Sequence, residues 1–582
     1  MRNGIVGSLL ALLLGFSLSD AGGNRFNTML KQAGPMDRLS CWVFFTDKGT
    51  TPLRKLSDPR SLVSERSIQR RLKVLPADRL VDETDLPLEQ RYVDQVASLV
   101  TTVRQRSKWL NGVSVDATPA QIARVQELPF VKEVQPVARF LNKRSVDEPP
   151  SDEPLEPAPR KGSGTDSLDY GASLTQLSSI NVPAVHNTGN SAQGILIGVF
   201  DNGVRLLNHQ AFDSLRSRII ATYDFVDHKE SVVPNNPNAG YGSHGVITLS
   251  ALAGYRPGQL IGPAYGASFI LARTENDSAS DFYPSEEDNW IAAAEWADSL
   301  GVQVTSTSLG YFEHVDAPDW TWQDMNGTTT AISRAATLAA RKGIVVVNSA
   351  GNDADRGGPN TLVAPGDADS ILTVGAVSSN GQIASFSSYG PTSDGRIKPD
   401  VVAQGIFVRC ADAIDPTTYT YANGTSLSCP LVAGAAALIL KAHPAAKPME
   451  VVNALKGTAN SAASPDNHYG WGLIDVLAAI NYLKAPAGVS SRAPLRTVIR
   501  GNTIQFSLPE PATVTIRVFN ILGQEVRTLL NGVQTAASSA VNWDATAADG
   551  RRVASGIYFF RLEAKGVSGS SYLDAGKMMI LR

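Results

Sequence analysis

Only three cysteines, Cys41, Cys410 and Cys429, occur in 582 residues, which excludes a disulfide scaffold. Cys41 falls in a region expected to be removed, leaving Cys410 and Cys429 as a possible pair whose separation the sequence does not define. Charge is sparse as well. Charged residues make up 18% of the chain and the formal net charge is −3, against about 25% charged in an ordinary protein. No concentrated basic face is visible, which argues against nucleic acid or an anionic membrane as a partner. The seven histidines and three cysteines form no cluster with zinc-ligand spacing. Acidic stretches such as Asp281 to Asp288 lack the spacing of a calcium loop and are expected to form a solvated face. Long apolar runs are missing too. Gly4 to Leu18, after Met1-Arg2-Asn3, falls short of the ~20 residues that cross a bilayer. One positive charge, a short apolar stretch and a small-residue exit read as a secretory signal over 1–20 rather than a membrane anchor.

What is present is apolar material for several cores: 43% of the residues are hydrophobic, and the length suggests about three or four domains. Residues 38–140 read as a small α+β unit. It has a strand from Cys41 to Asp47, a basic helical stretch over 57–73, a turn at Asn111-Gly112 between strands 108–110 and 113–115, a helix from Pro119 to Leu128 and a strand from Val131 to Val137. Residues 141–167 are an acidic, proline-rich and then glycine-rich linker open to proteolysis, where a maturation cut is expected. Residues 168–484 alternate short apolar runs (Ile195 to Phe200, Ser268 to Ala272, Val302 to Thr305, Ile344 to Val347) with helical stretches (Asn289 to Leu300, Thr328 to Arg341). That alternation predicts an α/β fold, a parallel sheet covered by helices, with the site beyond the carboxyl ends of the strands. Residues 493–582 change to strict alternation, as in Thr513 to Phe519 and Gly556 to Leu562, the pattern of a small all-β sandwich.

Three segments carry the chemistry, in the order Asp, His, Ser. The strand Ile197 to Phe200 ends on Asp201-Asn202-Gly203; Ser243-His244-Gly245 opens a helix-like run to Ala253; Gly424-Thr425-Ser426 leads into an apolar helix over 431–440. A serine hydroxyl needs a base to take its proton, the base needs an orienting anion, and the developing oxyanion needs fixed donors. Asn352, at the end of Ala350-Gly351-Asn352, offers a side-chain donor, and the helix after Ser426 directs its N–H groups and positive dipole end at the serine. Each residue alone has a plain alternative: Asp201 a turn former, Ser426 or Thr425 an N-cap, Asn352 an Asn in a Gly-rich turn. His186, His228, His314, His443 and His468 lack motif context, and His209 is expected to shape the loop after Asp201. Cys429, three residues past the serine, is a weaker nucleophile candidate.

Together these segments resemble the subtilase family of serine peptidases over roughly 195–480, whose order is Asp, His, Ser. The resemblance implies a subtilisin-like sheet and a catalytic set of Asp201, His244, Ser426 and Asn352. It also implies a substrate cleft lined by Ser308, Leu309 and Gly310, with Ala350 and Gly351 opposite. The family's His-Gly-Thr-His stands here as His244-Gly245-Val246-Ile247, which alters the neighbourhood of the base. Asp353 either faces a pocket rim or solvent, and Tyr311 and Phe312 lie near enough to shape subsites. Residues 38–140 are similar to the inhibitory propeptides of subtilases, the alternative being an unrelated attached domain. The C-terminal segment, with Asn520 to Val526, Ser555 to Tyr558 and Lys577 to Arg582, is similar to type IX secretion sorting domains, the alternative being an accessory sandwich. The resemblance implies a monomeric, secreted endopeptidase of a Gram-negative bacterium, made with its own inhibitor and exported by outer-membrane machinery. It acts on polypeptides without a required cofactor, with calcium as a structural ion. A catalytically dead adhesion module and an α/β-hydrolase esterase are the rival readings. The second needs Gly-x-Ser-x-Gly, and position 428 is Ser.

Overall fold

Every residue of β1 (Leu39–Phe45) is buried, which a strand achieves only with both faces covered. In the computed structural model this strand lies inside an antiparallel sheet of order β2-β3-β1-β4, with β2 (Thr102–Ser107), β3 (Gly112–Ala117) and β4 (Val131–Pro136). Cys41, Val43 and Phe45 face one core with Val93, Val96, Ile122 and Val125 of the helices Gln90–Leu99 and Pro119–Gln126. Trp42 and Phe44 point the other way, into a core with Trp290, Ile291, Ala294, Ile332 and Ala335. The structure describes residues 20–50, 53–137, 166–235, 242–276, 287–312, 318–484, 496–500, 502–508, 511–520, 524–535, 538–566 and 571–580. The expected secretory signal, apart from Asp20, and the expected linker, apart from 166 and 167, lie outside them.

The chain divides into two units, residues 1–480 and 481–582. In the first, the apolar runs of the middle segment form a seven-stranded sheet. Its strands are β5 (Leu196–Asp201), β6 (Ile219–Asp224), β9 (Ser268–Arg273), β10 (Val304–Thr307), β11 (Val345–Ser349), β12 (Leu372–Val377) and β13 (Val401–Gln404), with the two-residue strands β7 (Tyr255–Arg256) and β8 (Leu260–Ile261) paired apart from it. The order is β13-β12-β11-β10-β5-β9-β6, parallel throughout. A buried parallel sheet needs helices on both faces. Glu287–Leu300 and Ala331–Arg341 supply one cover. On the sheet also packs Thr425–Ala442, buried from Thr425 to Leu440; by length and composition this helix could cross a membrane, but here it is a core helix. In the second unit, residues 503–507 of one antiparallel sheet share a core with Ala512–Phe519 and Gly556–Gly566 of another, around Phe506, Ile516, Trp543 and Phe560.

Several expectations shift. The helix expected over 57–73 is confined to Glu65–Arg71, its start capped by Ser64, which accepts from the Ser67 N–H (3.2 Å), and its Arg70 and Arg71 are buried. The strand expected over Val302 to Thr305 begins at Val304 and runs to Thr307. All three cysteines are free and buried, so Cys410 and Cys429 do not pair. The solvated acidic face fails where it is described: Asp288 is buried and accepts hydrogen bonds from Arg104 (3.1 Å) and Ser114 (2.6 Å). Residues 281–286 lie outside the described residues.

Polar contacts align the N-terminal sheet on the two helices. Arg71 donates twice to Asp85 (2.9 and 2.8 Å) and once to Asp298 (2.5 Å), Arg70 pairs with Asp298, and Lys342 donates to Asp85 (2.9 Å), all deeply buried. Glu295 accepts from Ser107 Oγ (2.6 Å) and from the N–H groups of Trp109 and Lys108 (both 3.1 Å). Burial raises its carboxyl to about 7, outweighing those donors and the Lys108 charge. A carboxyl raised in the folded state contributes its full stability below about 4.5 and loses it as pH rises through about 7. Denaturant stability is expected to fall over that window by up to about 3 kcal/mol relative to the Glu295→Gln variant. A pH-independent difference between the two refutes the assignment.

Candidate active site

β5 and β10 are neighbours in register, with Phe200 beside Thr307, so Asp201 and Ser308 emerge side by side at the carboxyl edge of the sheet. β11 flanks β10 on the other side, pairing Asn348 with Thr307 before the chain turns to Asn352. Adjacent strands lie about 4.8 Å apart, so this edge gathers residues as far apart in sequence as Asp201 and Asn352.

Asp201 is buried and fully engaged. Oδ1 accepts from His244 Nδ1 (2.7 Å) and from the Asn202 N–H (2.8 Å); Oδ2 accepts from Thr248 Oγ1 (2.7 Å). A carboxylate only accepts, so Nδ1 carries the proton and Nε2 is left as the basic nitrogen. His244 and Thr248 are four residues apart in the helix Ser243–Ala253 and therefore share a face. The helix start is pressed onto the 201–203 turn: the Gly245 N–H donates to Asn202 Oδ1 (2.9 Å). A Cβ at 245 would lie 1.9 Å from the Gly203 carbonyl oxygen, so only glycine fits. Val246 and Ile247, which stand where the family has Thr and His, are buried apolar packing.

Ser426 is the second residue of the core helix, so its N–H belongs to the first turn, which has no partner within the helix. It is held to the sheet edge by a reciprocal pair: Ser308 Oγ donates to the Ser426 carbonyl (2.8 Å), and Ser426 Oγ donates to the Ser308 carbonyl (3.1 Å). Asn352 Oδ1 accepts from the N–H and the hydroxyl of Thr425 (both 2.9 Å). With its oxygen held there, the Asn352 amide group lies against Gly424: a Cβ at 424 would lie 3.4 Å from Nδ2 and 3.5 Å from the Ser426 nitrogen. The structure thus brings Asp201 to His244, Ser426 to Ser308, and Asn352 to Thr425, the residue before Ser426, at one end of the sheet.

The expected cleft segments are present at the same edge. The Leu309 carbonyl accepts from Asn348 Nδ2 (3.1 Å), Ala350 from the Val363 N–H (3.4 Å), and Gly351 from the Ser388 N–H (3.0 Å). Among the described residues the N–H and C=O of Gly310 make no hydrogen bond, leaving a free edge for an extended chain. Thr248 and the clamping role of Ser308 were not singled out from sequence; the four-residue spacing from His244 was the one available signal for Thr248. His209 does shape its loop, accepting from the Ala211 N–H (3.0 Å) and bonding the Thr418 carbonyl (2.8 Å). His186 is buried between Tyr170 Oη and the Pro263 carbonyl (both 2.9 Å), and burial lowers it to about 4. Burial also pushes the Cys429 thiol up to about 12, which makes it a poor nucleophile. Among the described residues no group of three or more His, Cys, Asp or Glu side chains is arranged to hold a metal ion.

Residues 192–472 match the model of the subtilase family of S8 peptidases. Residues 40–151 match the peptidase S8 propeptide domain of Bacteroidota, and residues 499–567 the FlgD Ig-like domain. The chain is 32% identical over 300 residues to subtilisin DY of Bacillus licheniformis, spanning 52% of this chain and 96% of that protein. It is 32% identical over 316 residues to subtilisin E of Bacillus subtilis, spanning 54% of this chain and 71% of that protein. Fervidolysin of Fervidobacterium pennivorans, described as a keratinolytic enzyme related to subtilisin, shares the fold, with a TM-score of 0.56 at 18% identity over 94% of this chain and 76% of that one. With the Asp, His, Ser order at one sheet edge and these matches, the chain belongs to the subtilase family and is a serine endopeptidase with an N-terminal propeptide domain.

Proposed function

We propose that this subtilase is a secreted enzyme that cuts polypeptides with Ser426 as nucleophile, His244 as general base, Asp201 as its orienting carboxylate and Asn352 as oxyanion donor. The observation that carries the reading is the three-donor seat of Asp201, with His244 at 2.7 Å, beside a buried helix whose first turn presents Ser426 next to Asn352. His244 Nε2 takes the Ser426 proton as Oγ attacks the scissile carbonyl, and Asp201 stabilises the imidazolium that forms. The Ser426 N–H and the Asn352 amide donate to the oxyanion. The peptide pairs along Ser308, Leu309 and Gly310, with Ala350 and Gly351 on the far side. Collapse of the intermediate returns the proton to the leaving amine, and water repeats the sequence on the acyl-enzyme. None of these steps calls on a metal ion, and any calcium is structural.

In the same reading residues 38–140 act as intramolecular inhibitor until the linker 141–167 is cut by the enzyme itself. The mature peptidase spans 168–484, and 1–20 directs the chain out of the cytoplasm. Residues 493–582 serve as the type IX sorting domain; the alternating strands and the segments Ser555 to Tyr558 and Lys577 to Arg582 support that role. The mature enzyme works as a monomer, outside the cell or at its surface.

The decisive experiment compares wild type with Ser426→Ala and Asn352→Ala, using a fluorophosphonate probe and casein. Ser426→Ala is expected to lose both labelling and cleavage, and labelling that survives would identify a different nucleophile. Asn352→Ala is expected to label yet lose about 10²–10³ in kcat with little change in KM. Thr248→Val removes a hydrogen bond to a buried carboxylate, a contact of about 1.5–3 kcal/mol. It should lower kcat about 10- to 100-fold, with Thr248→Ser restoring most of it; an unchanged kcat would show that the third donor does not position the base. Deleting residues 493–582 in the native host should retain the enzyme within the cell envelope, and undiminished activity in the medium would refute the sorting role.

A further inference from the structure

The two segments that bracket the expected cleft each contain a glycine, and both glycines face one side chain. A Cβ on Gly310 would lie 2.1 Å from Val363 Cγ2, and a Cβ on Gly351 would lie 3.0 Å from the same methyl. Val363 is 5% exposed, so one of its methyls fills the gap between the two backbones. The segment carrying it is tied down on every side. Its N–H donates to the Ala350 carbonyl (3.4 Å), and its carbonyl accepts from the Gly366 N–H (2.8 Å). Ala364, next in the chain, exchanges two hydrogen bonds with Tyr311 (2.8 and 3.0 Å). Before it, the Leu362 carbonyl accepts from Arg356 Nη2 (2.9 Å), whose guanidinium lies 3.5 Å over the ring of Phe312. A β-branched side chain is stiff at χ1, so neither its backbone nor its rotamer offers an easy way out.

We propose that Val363 floors the pocket for the side chain on the acyl side of the scissile bond and restricts that side chain to glycine, alanine or serine. The inference rests on the catalytic roles given above. The scissile carbonyl carbon must sit about 3 Å from Ser426 Oγ, with its oxygen at the Asn352 amide. The residue bearing that carbonyl pairs along Ser308 to Gly310. Its side chain then leaves toward the space between that segment and Ala350-Gly351, since Gly351 directly precedes Asn352. Two glycine walls would leave depth for a long or aromatic side chain, and the Val363 methyl occupies that depth. The wall at Gly351 is otherwise polar: a Cβ there would lie 2.8 Å from Ser388 Oγ and 3.1 Å from Asp353 Oδ2. Each methylene that a pocket cannot take costs about 10-fold or more in kcat/KM.

The test is a peptide series that differs only at the residue preceding the cut (Gly, Ala, Ser, Leu, Phe, Lys), read as kcat/KM for wild type, Val363→Gly and Val363→Ala. The ratio of two kcat/KM values on one preparation is independent of how much of it is folded, and Val363→Ala stands in where Val363→Gly fails to fold. Wild type is expected to favour Ala over Phe and Leu by at least about 10-fold, and Val363→Gly to move the ratio about 10- to 100-fold toward Phe. A wild type that labels with fluorophosphonate but prefers Leu, Phe or Lys, or a ratio unchanged in both variants, overturns the pocket and leaves the catalytic assignment standing. A wild type that neither labels nor cuts any peptide overturns both.

Discussion

The end of a buried helix is an unfinished structure, because its first N–H groups have no partner within the helix. In this chain that end belongs to Thr425–Ala442, buried from Thr425 to Leu440, and nearly everything at the site follows from how it is completed. Asn352 takes up the Thr425 N–H, while Ser308 and Ser426 exchange hydroxyl and carbonyl hydrogen bonds. The helix is thereby joined to the carboxyl edge of the central strands. An apolar helix with small residues such as Ala433 and Ala436 can approach the sheet closely enough for these short bonds to form. The same requirement that satisfies the backbone also aims a hydroxyl and free donors at one spot. In the mechanism proposed above, structural completion and catalytic geometry are one arrangement.

The N-terminal sheet reaches the peptidase through two different kinds of contact. Trp42 and Phe44 enter a core shared with Trp290 and Ile332, and that burial is tolerant of small shifts. The polar contacts of Arg70, Arg71, Arg104 and Ser107 with Asp298, Asp288 and Glu295 are not tolerant, because buried charges require their partners in place. Burial opposes ionisation of Asp85, yet the Arg71 hydrogen bonds and the Lys342 charge hold it far below the usual carboxylate range. The apolar faces supply adhesion and the charges supply register.

What could be read from sequence follows the range of the interactions involved. Asp201, His244, Asn352 and Ser426 stand at strand ends or helix starts that local pattern marks, so the α/β architecture and these candidates are legible together. Boundaries are less so: the apolar run from Val302 predicts a strand two residues early, because Val302 is buried in the turn that precedes Val304. Asp288 reads as solvated in isolation, since nothing nearby in sequence announces Arg104 and Ser114 as its partners. Val363 is likewise silent, an ordinary valine until Gly310 and Gly351 are seen on either side of it. Cys410 and Cys429 remain apart because each thiol is enclosed in its own surroundings; Cys429 sits against the Thr307 carbonyl.

The buried ions at the boundary are shared unevenly. Asp298 and Lys342 lie on the peptidase, Arg70, Arg71 and Asp85 on the part that departs. On separation, the peptidase gives up the Arg70 and Arg71 contacts of Asp298 and the Asp85 contact of Lys342, and Asp288 and Glu295 lose the donors that Arg104, Ser114 and Ser107 supply. The departing piece is left with an exposed cation. Arg71 keeps Asp85, but Arg70 loses the carboxylate of Asp298 together with the Val302 and Lys342 carbonyls that hold it. In the proposed reading of maturation, parting thus loosens both faces of the boundary, and the released fragment keeps Arg70 without the anion that had fixed it.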